Sequence, residues 1–561
     1  MTGAAFTCCA LLINERQGGN VMTSPLHEKI DVLFVHVPKF SSYYKPIDEF
    51  MFINYIPMGV FALCDILNKK GFQSRIKHLG LEYINDEHFS IAEYVKVRSV
   101  KIVAISLHWH YQAYDVIEVA RKIKEACAQS AIVLGGFTAG YFAEEIIENY
   151  PWIDCVIAGD GERGILEYAN AVFEGGPLAA VSNAVYRTAD GTLCNNGITY
   201  LADFADLRDI DYAGLDYLDH HVGYRDYFKV PLFWSLRMSA KENMRMKLGT
   251  ASSTFPLMIG RGCNFDCSFC GGAKSAQIRF CNRRRAVLMP IEKVVDIMEQ
   301  ALGYGYESFI LSFDPDPSDS GYFVTLFAEV RRRGLRCGMG FESWGLPDSA
   351  FIEAFAETFI KKRSYIAISP ESGSESVRKK NKGYYYSNEE MFAALALIDA
   401  QKIPSVVYLT IGLPAETYKD IENNRAFART IRKKVRHLMS IQMVPIQLEP
   451  ASPIYENPSL WGVKTERSCF NDFYEYHKQP HSNPYTYTGY TTDSLVDANG
   501  SVEAFSRFIS KERCQNFCII QFKIFGKIYL PFVSRMLCRR SHCKWIKKGF
   551  GKPPEVRRTF S

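Results

Sequence analysis

The sequence predicts an α/β protein built from two parallel-sheet units in tandem, followed by a mixed C-terminal extension. The N-terminal unit reads as doubly wound (Rossmann-like), the second as a partial (β/α)6 barrel of the TIM type. Three observations carry this. Short apolar runs alternate with segments of helical period through both halves. Glycine pairs close several of the apolar runs. A loop after one such run holds Cys263, Cys267 and Cys270 in the spacing C-x3-C-x2-C. The 561 residues exceed one hydrophobic core, so several domains are expected.

In chain order, residues 1–28 read as an N-terminal extension. They lack a basic segment before Ala4–Ile13, so no secretory signal is predicted. Asp31–Val37 is a short apolar strand. Met58–Lys70 is helical and stops at Gly71. Val103–Leu107 is a buried strand, and Gln112–Cys127 places Val116, Val119, Ala120 and Ile123 on one helical face. Ala131–Leu134 ends in Gly135-Gly136, and Cys155–Ala158 ends in Gly159-Asp160-Gly161-Glu162. This βαβ rhythm over 29–180 predicts a doubly wound sheet, whose ligands bind beyond the carboxyl ends of the strands. Residues 181–254 are less regular and read as a link. Their acids Asp203, Asp206, Asp209 and Asp211 fit a solvated surface.

The α/β rhythm resumes over 255–460. Phe255–Ile259 is strand-like and leads into the cysteine loop. Ile291–Leu302 is helical, with Val294, Ile297, Met298 and Ala301 on one face. Phe309–Phe313, Cys337–Phe341, Tyr365–Ser369 and Ser405–Ile411 are strands separated by helical sequence. Parallel barrels carry their chemistry at the carboxyl ends of strands, and the notable residues fall there.

Three thiolates this close can hold three irons of a 4Fe–4S cluster and leave the fourth iron open. Gly260, Gly262, Gly271 and Gly272 let the backbone wrap a bulky ligand. Zinc is the alternative, but it usually takes four ligands in pairs, and no second pair lies nearby. With Phe269 before the third cysteine, the loop resembles the signature of the radical S-adenosylmethionine (SAM) enzymes. That resemblance implies that Cys263, Cys267 and Cys270 ligate iron and that SAM chelates the open iron. It implies too that reductive cleavage of SAM yields a 5′-deoxyadenosyl radical. It places Phe269, Gly271 and Gly272 against the adenine and methionine parts of SAM.

Ser369-Pro-Glu371-Ser-Gly373 and Asn381-Lys382-Gly383 resemble the family's fourth-strand segment, with Pro370 a departure. The resemblance makes Ser369 and Glu371 contacts of the SAM ribose or carboxylate; a salt-bridged structural Glu is the alternative. Ile411-Gly-Leu-Pro-Ala-Glu-Thr417 resembles the turn after the fifth strand, which puts Gly412 beside the adenine. Glu416 or Thr417 can equally cap the next helix. Asp314 and Asp316 stand near where the family carries a SAM-binding Glu, and either SAM or substrate is open to them. Trp344 lines a substrate pocket or packs in the core.

The order of Tyr55-Ile-Pro-Met-Gly59, Gly135-Gly136-Phe-Thr138 and Gly159-Asp-Gly-Glu162 resembles the cobalamin-binding domain that precedes many radical SAM domains. It implies cobalamin as a cofactor, with Gly135, Gly136, Gly159 and Glu162 near it. The Asp-x-His-x-x-Gly box that supplies a lower cobalt ligand is absent. His108 and His110 follow a strand and stand either near the corrin or in the core.

Residues 461–561 form the extension. Cys514, Cys518, Cys538 and Cys543 are open to an accessory metal or to no role. Residues 511–561 hold 13 Lys and Arg against 2 Asp and Glu, whereas the rest of the chain holds 53 against 59. Ile519–Leu537 mixes apolar and basic residues, as an interfacial anchor does, which points to peripheral membrane contact; a basic surface helix is the alternative. No recognised nucleic-acid module is seen. No run of 18 uncharged apolar residues is present, so no transmembrane helix is predicted. The sixteen scattered cysteines fit a reducing, cytoplasmic compartment.

The expectation is therefore a class B cobalamin-dependent radical SAM enzyme. It would methylate an unactivated carbon of a lipid or natural-product intermediate, with peptides also open. An external electron donor such as flavodoxin or ferredoxin is implied. A non-methylating rearrangement or cyclisation, or a non-catalytic cobalamin or redox sensor, is the alternative.

Overall fold

A computed structural model describes residues 29–39, 55–86, 88–227, 229–230, 252–478 and 489–492. The expectations for the N-terminal extension, for Cys514, Cys518, Cys538 and Cys543, and for the basic tail lie outside the described residues.

The first unit is a seven-stranded sheet. Its strands are β1 (Val32–His36), β2 (Ser74–His78), β3 (Ile102–Ser106), β4 (Ala131–Gly135), β5 (Cys155–Ile157), β6 (Ala184–Arg187) and β7 (Leu193–Asn195). Their order is β2-β1-β3-β4-β5-β6-β7, the first five parallel and the last two antiparallel. Every residue of β1 and β3 is buried, because helices cover both faces. Alternate side chains divide between two cores: Leu33, Val35, Val103 and Ile105 on one face, Val32, Phe34, Ile102 and Ala104 on the other. The second of these cores runs on without a break into the barrel's outer layer, through Phe255, Phe309, Met339 and Ile366.

Two elements depart from expectation. β2 is one: its Arg75, Lys77 and His78 disguise it as polar sequence. Lys77 is buried because Glu82 and Asp219 both pair with it, at 2.9 and 2.8 Å. The other is the stretch read as a link from 181. β6 and β7 extend the first sheet through Asn195, and both are too short to leave an apolar run. Farther along, Asp203 and Asp206 form a capping box for the helix Phe204–Asp209 rather than lying idle on the surface.

The second unit opens with β8 (Lys229–Val230), paired antiparallel to β9 (Ser252–Pro256). A small ladder, β10 (Gly260–Arg261) with β11 (Val287–Leu288), closes the cysteine loop at its base. Then come β12 (Ser308–Leu311), β13 (Gly338–Ser343), β14 (Tyr365–Glu371), β15 (Ser405–Ile411) and β16 (Leu438–Pro445). β9 and β12 to β16 lie parallel and in sequence order, with a helix in each of the five connections. That is the partial (β/α)6 barrel; its last strand, β16, had not been located in the sequence. A final pair, β17 (Val463–Thr465) with β18 (Tyr490–Thr492), packs Val463 and Tyr490 onto Leu413 and Leu448. Among the described residues no helix is long and apolar enough to cross a membrane.

Candidate active site between the two sheets

The cysteine loop hangs between β10 and β11 and carries its own helix, Lys274–Cys281. All three thiols are half-buried. Each sulfur accepts a backbone N–H: Cys263 from Phe265 at 3.4 Å, Cys270 from Gly272 at 3.3 Å, and Cys267 from Gly383 at 3.2 Å. Such donors favour thiolate. Burial works against it, pushing Cys263 up to about 11 and Cys270 up to about 12. Among the described residues no three His, Cys, Asp or Glu side chains converge on one ion-sized point. The Phe269 ring packs beside Val377, Leu413 and Tyr490, anchoring the loop in an apolar cluster. Gly271 lies under the next layer of chain: a Cβ there would stand 2.7 Å from the Pro450 carbonyl.

The strand ends of the barrel are stitched to this loop. Asn381 accepts from the Ser268 hydroxyl at 2.7 Å and donates to the Pro414 carbonyl at 2.8 Å. One residue therefore ties the Asn-Lys-Gly segment to the cysteine loop and to the turn after β15. Gly383 is needed as glycine, since a Cβ would meet the Asp266 nitrogen at 2.6 Å. Glu371 sits at φ +62°, the left-handed region that non-glycine residues avoid, where the register of β14 slips. Burial raises the pKa of its carboxyl, opposed by Lys382, whose Nζ lies 3.5 Å away. Ser369 is half-buried on the same strand.

Gly412, at φ +93°, donates its N–H to Glu416 at 2.6 Å, and Asn424 donates to the other carboxylate oxygen at 3.1 Å. Thr417, not Glu416, caps the helix Tyr418–Lys434. Burial holds the Glu416 carboxyl up at about 8. Asp314 is buried and accepts from the Ser343 hydroxyl and the Trp344 and Gly345 N–H groups, so its carboxylate serves the strand ends.

The carboxyl edge of the first sheet faces this assembly. After β5, Asp160 and Glu162 take both sides of the Arg261 guanidinium, and Asp160 also holds Arg283. After β4, Phe137 stacks on Phe280 with ring centroids 4.5 Å apart. After β3, His110 Nε2 lies 3.5 Å from Glu449, which follows β16. Burial drives His108 down to about 4, so its imidazole is neutral.

Expected cofactor residues find local reasons here. Glu162, expected beside a cofactor, has its carboxylate committed to Arg261. Gly136, at φ +102°, lets β4 approach the backbone of Leu107 and His108. Gly159, at φ +69°, makes room for Cys281, so it serves the contact between the units. Gly135 has only ordinary contact around it. Glu449, Arg261 and Arg283 were not singled out from sequence; only the fold brings them to the site.

Comparison with known protein families adds the decisive observation. Residues 257–428 match the radical SAM superfamily, and residues 54–169 match the B12 binding domain. The chain belongs to the B12-binding radical SAM proteins.

Among curated relatives of this B12-binding radical SAM chain is hopanoid C-3 methylase of Methylococcus capsulatus. It is 24% identical over 221 residues, covering 39% of this chain and 36% of that protein. Another is the anaerobic magnesium-protoporphyrin IX monomethyl ester cyclase of Cereibacter sphaeroides. It is 27% identical over 282 residues, covering 50% and 40%. The matches thus span less than half of either relative. Two solved structures share the fold. The radical SAM methyltransferase TsrM from Kitasatospora setae, with cobalamin and a [4Fe–4S] cluster, superposes with a TM-score of 0.56 at 16% identity, covering 79% of this chain and 81% of that one. The cobalamin-dependent radical SAM enzyme OxsB superposes at 0.58 and 13%, covering 93% and 71%.

The cofactors of this B12-binding radical SAM chain are a 4Fe–4S cluster, SAM and cobalamin. The residues present fit them. Three half-buried thiols on one loop, each with an N–H donor, suit the cluster. The order β2-β1-β3-β4-β5 has its switch point between β1 and β3. That edge, with neutral His108 beyond it, fits cobalamin and opens toward the cluster loop.

Proposed function

We propose that this protein transfers a methyl group to an unactivated carbon of a small-molecule intermediate. The observation that carries the reading is the opposition of the two carboxyl edges, joined by Arg261 to Asp160 and Glu162 and by Glu449 to His110. Bound in their two sites, the cofactors supply a carbon radical and a transferable methyl group. The chain's own work is placement. Cys263, Cys267 and Cys270 would hold the cluster; Gly383 and Gly272 donate N–H groups to the Cys267 and Cys270 sulfurs. Phe269, Gly271, Gly272, Ser369, Glu371 and Gly412 are proposed to bind SAM, because Asn381 ties the cysteine loop to the turn after β15 and its neighbour Lys382 pairs with Glu371. Gly135, Gly136, Gly159 and Glu162 are proposed to shape the cobalamin edge. The interface between the units keeps water from the reacting centres.

Methylases stand among the relatives, as does a cyclase, and the cyclase supports a second reading of radical cyclisation without methyl transfer. The test is anaerobic turnover of the reconstituted, reduced protein with SAM and candidate substrates. Methyl transfer yields S-adenosylhomocysteine together with 5′-deoxyadenosine. Cyclisation yields the deoxyadenosine without it, and a protein that consumes no SAM at all is not this enzyme.

A further inference from the structure

Three buried acids and one half-buried acid lie near the barrel's carboxyl end, and the three buried ones are held by groups of the strand ends themselves. Asp314 has a hydroxyl and two N–H donors, Glu371 has Lys382, and Glu416 has Gly412 and Asn424. Glu342 differs. It lies on β13 between Phe341 and Ser343, and the strand's alternation decides where it faces. Met339 and Phe341 pack outward with Phe309, Ile366, Ile368 and Val407 in the layer beneath the helices. Glu342, one step out of phase with them, therefore faces the barrel lumen. The same alternation turns Ser312, Ser369 and Tyr408 inward, and Gln442 pairs in register with Tyr408.

These five polar residues come from five successive strands or strand ends. None is fully buried, so the lumen is accessible at their level. Glu342 is in register with Ala367, which packs with Val406, Met439 and Tyr408. The Tyr408 hydroxyl reaches Glu342 at 3.4 Å, and the Ser312 hydroxyl lies close by. Both partners are neutral. Burial raises the Glu342 carboxyl, and among the described residues no cation offsets it. A carboxylate withdrawn from water is costly without an opposite charge, and two hydroxyls leave acceptor capacity unused.

We propose that Glu342, seated by Tyr408 and Ser312, recognises a basic nitrogen on the substrate, so that the barrel takes a small amine-bearing molecule. A protonated amine would bring the missing charge and a charge-assisted hydrogen bond. Gln442 would take a further polar group. The position suits a substrate: Ser343, the next residue, bonds Asp314, and Asn264 beside Cys263 donates to the Pro315 carbonyl at 2.9 Å. Glu342 thus lies below the cluster loop. This inference rests on the catalytic reading above, and it disfavours a purely hydrocarbon substrate.

The test is calorimetric titration of the anaerobic, cluster- and cobalamin-loaded full chain with n-hexylamine, n-hexanol and n-hexanoate. Saturable binding of the amine, at least tenfold tighter than that of the alcohol or the carboxylate, is expected. Glu342→Gln should lose at least tenfold in amine affinity, with its cluster absorbance reporting an intact fold. Infrared difference spectra should show the Glu342 carboxyl bands shifting on amine addition, a change absent from Glu342→Gln. Equal affinity for amine and alcohol in the wild type, which needs no variant, would overturn the proposal. So would unchanged amine affinity in Glu342→Gln. Selective amine binding by a protein that cleaves no SAM would instead reject the catalytic reading and leave this one standing.

Discussion

Glu371 and Glu416 show how single residues are held at a site against their own preferences. Glu371 carries a left-handed backbone that costs of the order of 1–3 kcal/mol outside glycine. It is retained where the strand slips its register and where Lys382 meets its carboxylate, next to Cys267. Glu416 is fully buried with only neutral donors, and burial holds it near 8 against an ordinary 4.5. Since the folded form binds the proton more tightly, its stabilising effect is complete below about 4.5 and is lost as pH rises through about 8. Wild type should therefore lose stability relative to Glu416→Gln over that window, by up to a few kcal/mol. Thermal unfolding midpoints of the two proteins, measured from about pH 5 to 9, check this. Parallel profiles would mean that Glu416 keeps an ordinary acidity.

At the scale of elements, what could be read from sequence depended on whether an element's partners are near in the chain. Val32–His36, Ile102–Ser106 and Ser405–Ile411 are apolar because helices cover them, and such runs are visible without a structure. β2 is not, since Lys77 in its middle is neutralised by Asp219, 142 positions away. The cysteine loop was legible because its spacing is local. Its support was less so: Asn381 matched a motif, but its bonds to Ser268 and Pro414 emerge only in the fold. The clasp made by β10 was invisible, for Arg261 meets acids about a hundred residues earlier. Removing that guanidinium leaves Glu162 buried without its cation, which costs about 3–5 kcal/mol in such settings. Arg261→Met should split a single calorimetric transition into two as the units uncouple. Arg279→Met, which removes an ion pair to Glu456 from a more exposed arginine, should change stability by less than about 1 kcal/mol. Equal effects of the two substitutions would deny the clasp its role.

For the whole molecule, the arrangement of the two sheets is what makes one site out of two binding edges. A doubly wound sheet alone offers a crevice at its switch point, and a parallel barrel alone offers a mouth. Here the connections after β3, β4 and β5 meet the connections after β9 and β16, and a continuous apolar core joins the units behind them. A ligand seated on either edge should therefore be felt by the other. Hydrogen–deuterium exchange on the cluster-loaded protein, with and without added cobalamin, tests this directly. Protection should rise at residues 107–112 and 135–141, at the first sheet's edge. It should rise in the same experiment at residues 446–456 of the barrel unit, because Glu449 lies against His110 and Tyr141 donates to Glu456. The Arg261→Met protein should keep the first response and lose much of the second, since uncoupled units no longer share the cleft. Protection confined to residues 107–141 in the wild type would mean that the two edges work apart, and a radical made at one could not be answered from the other.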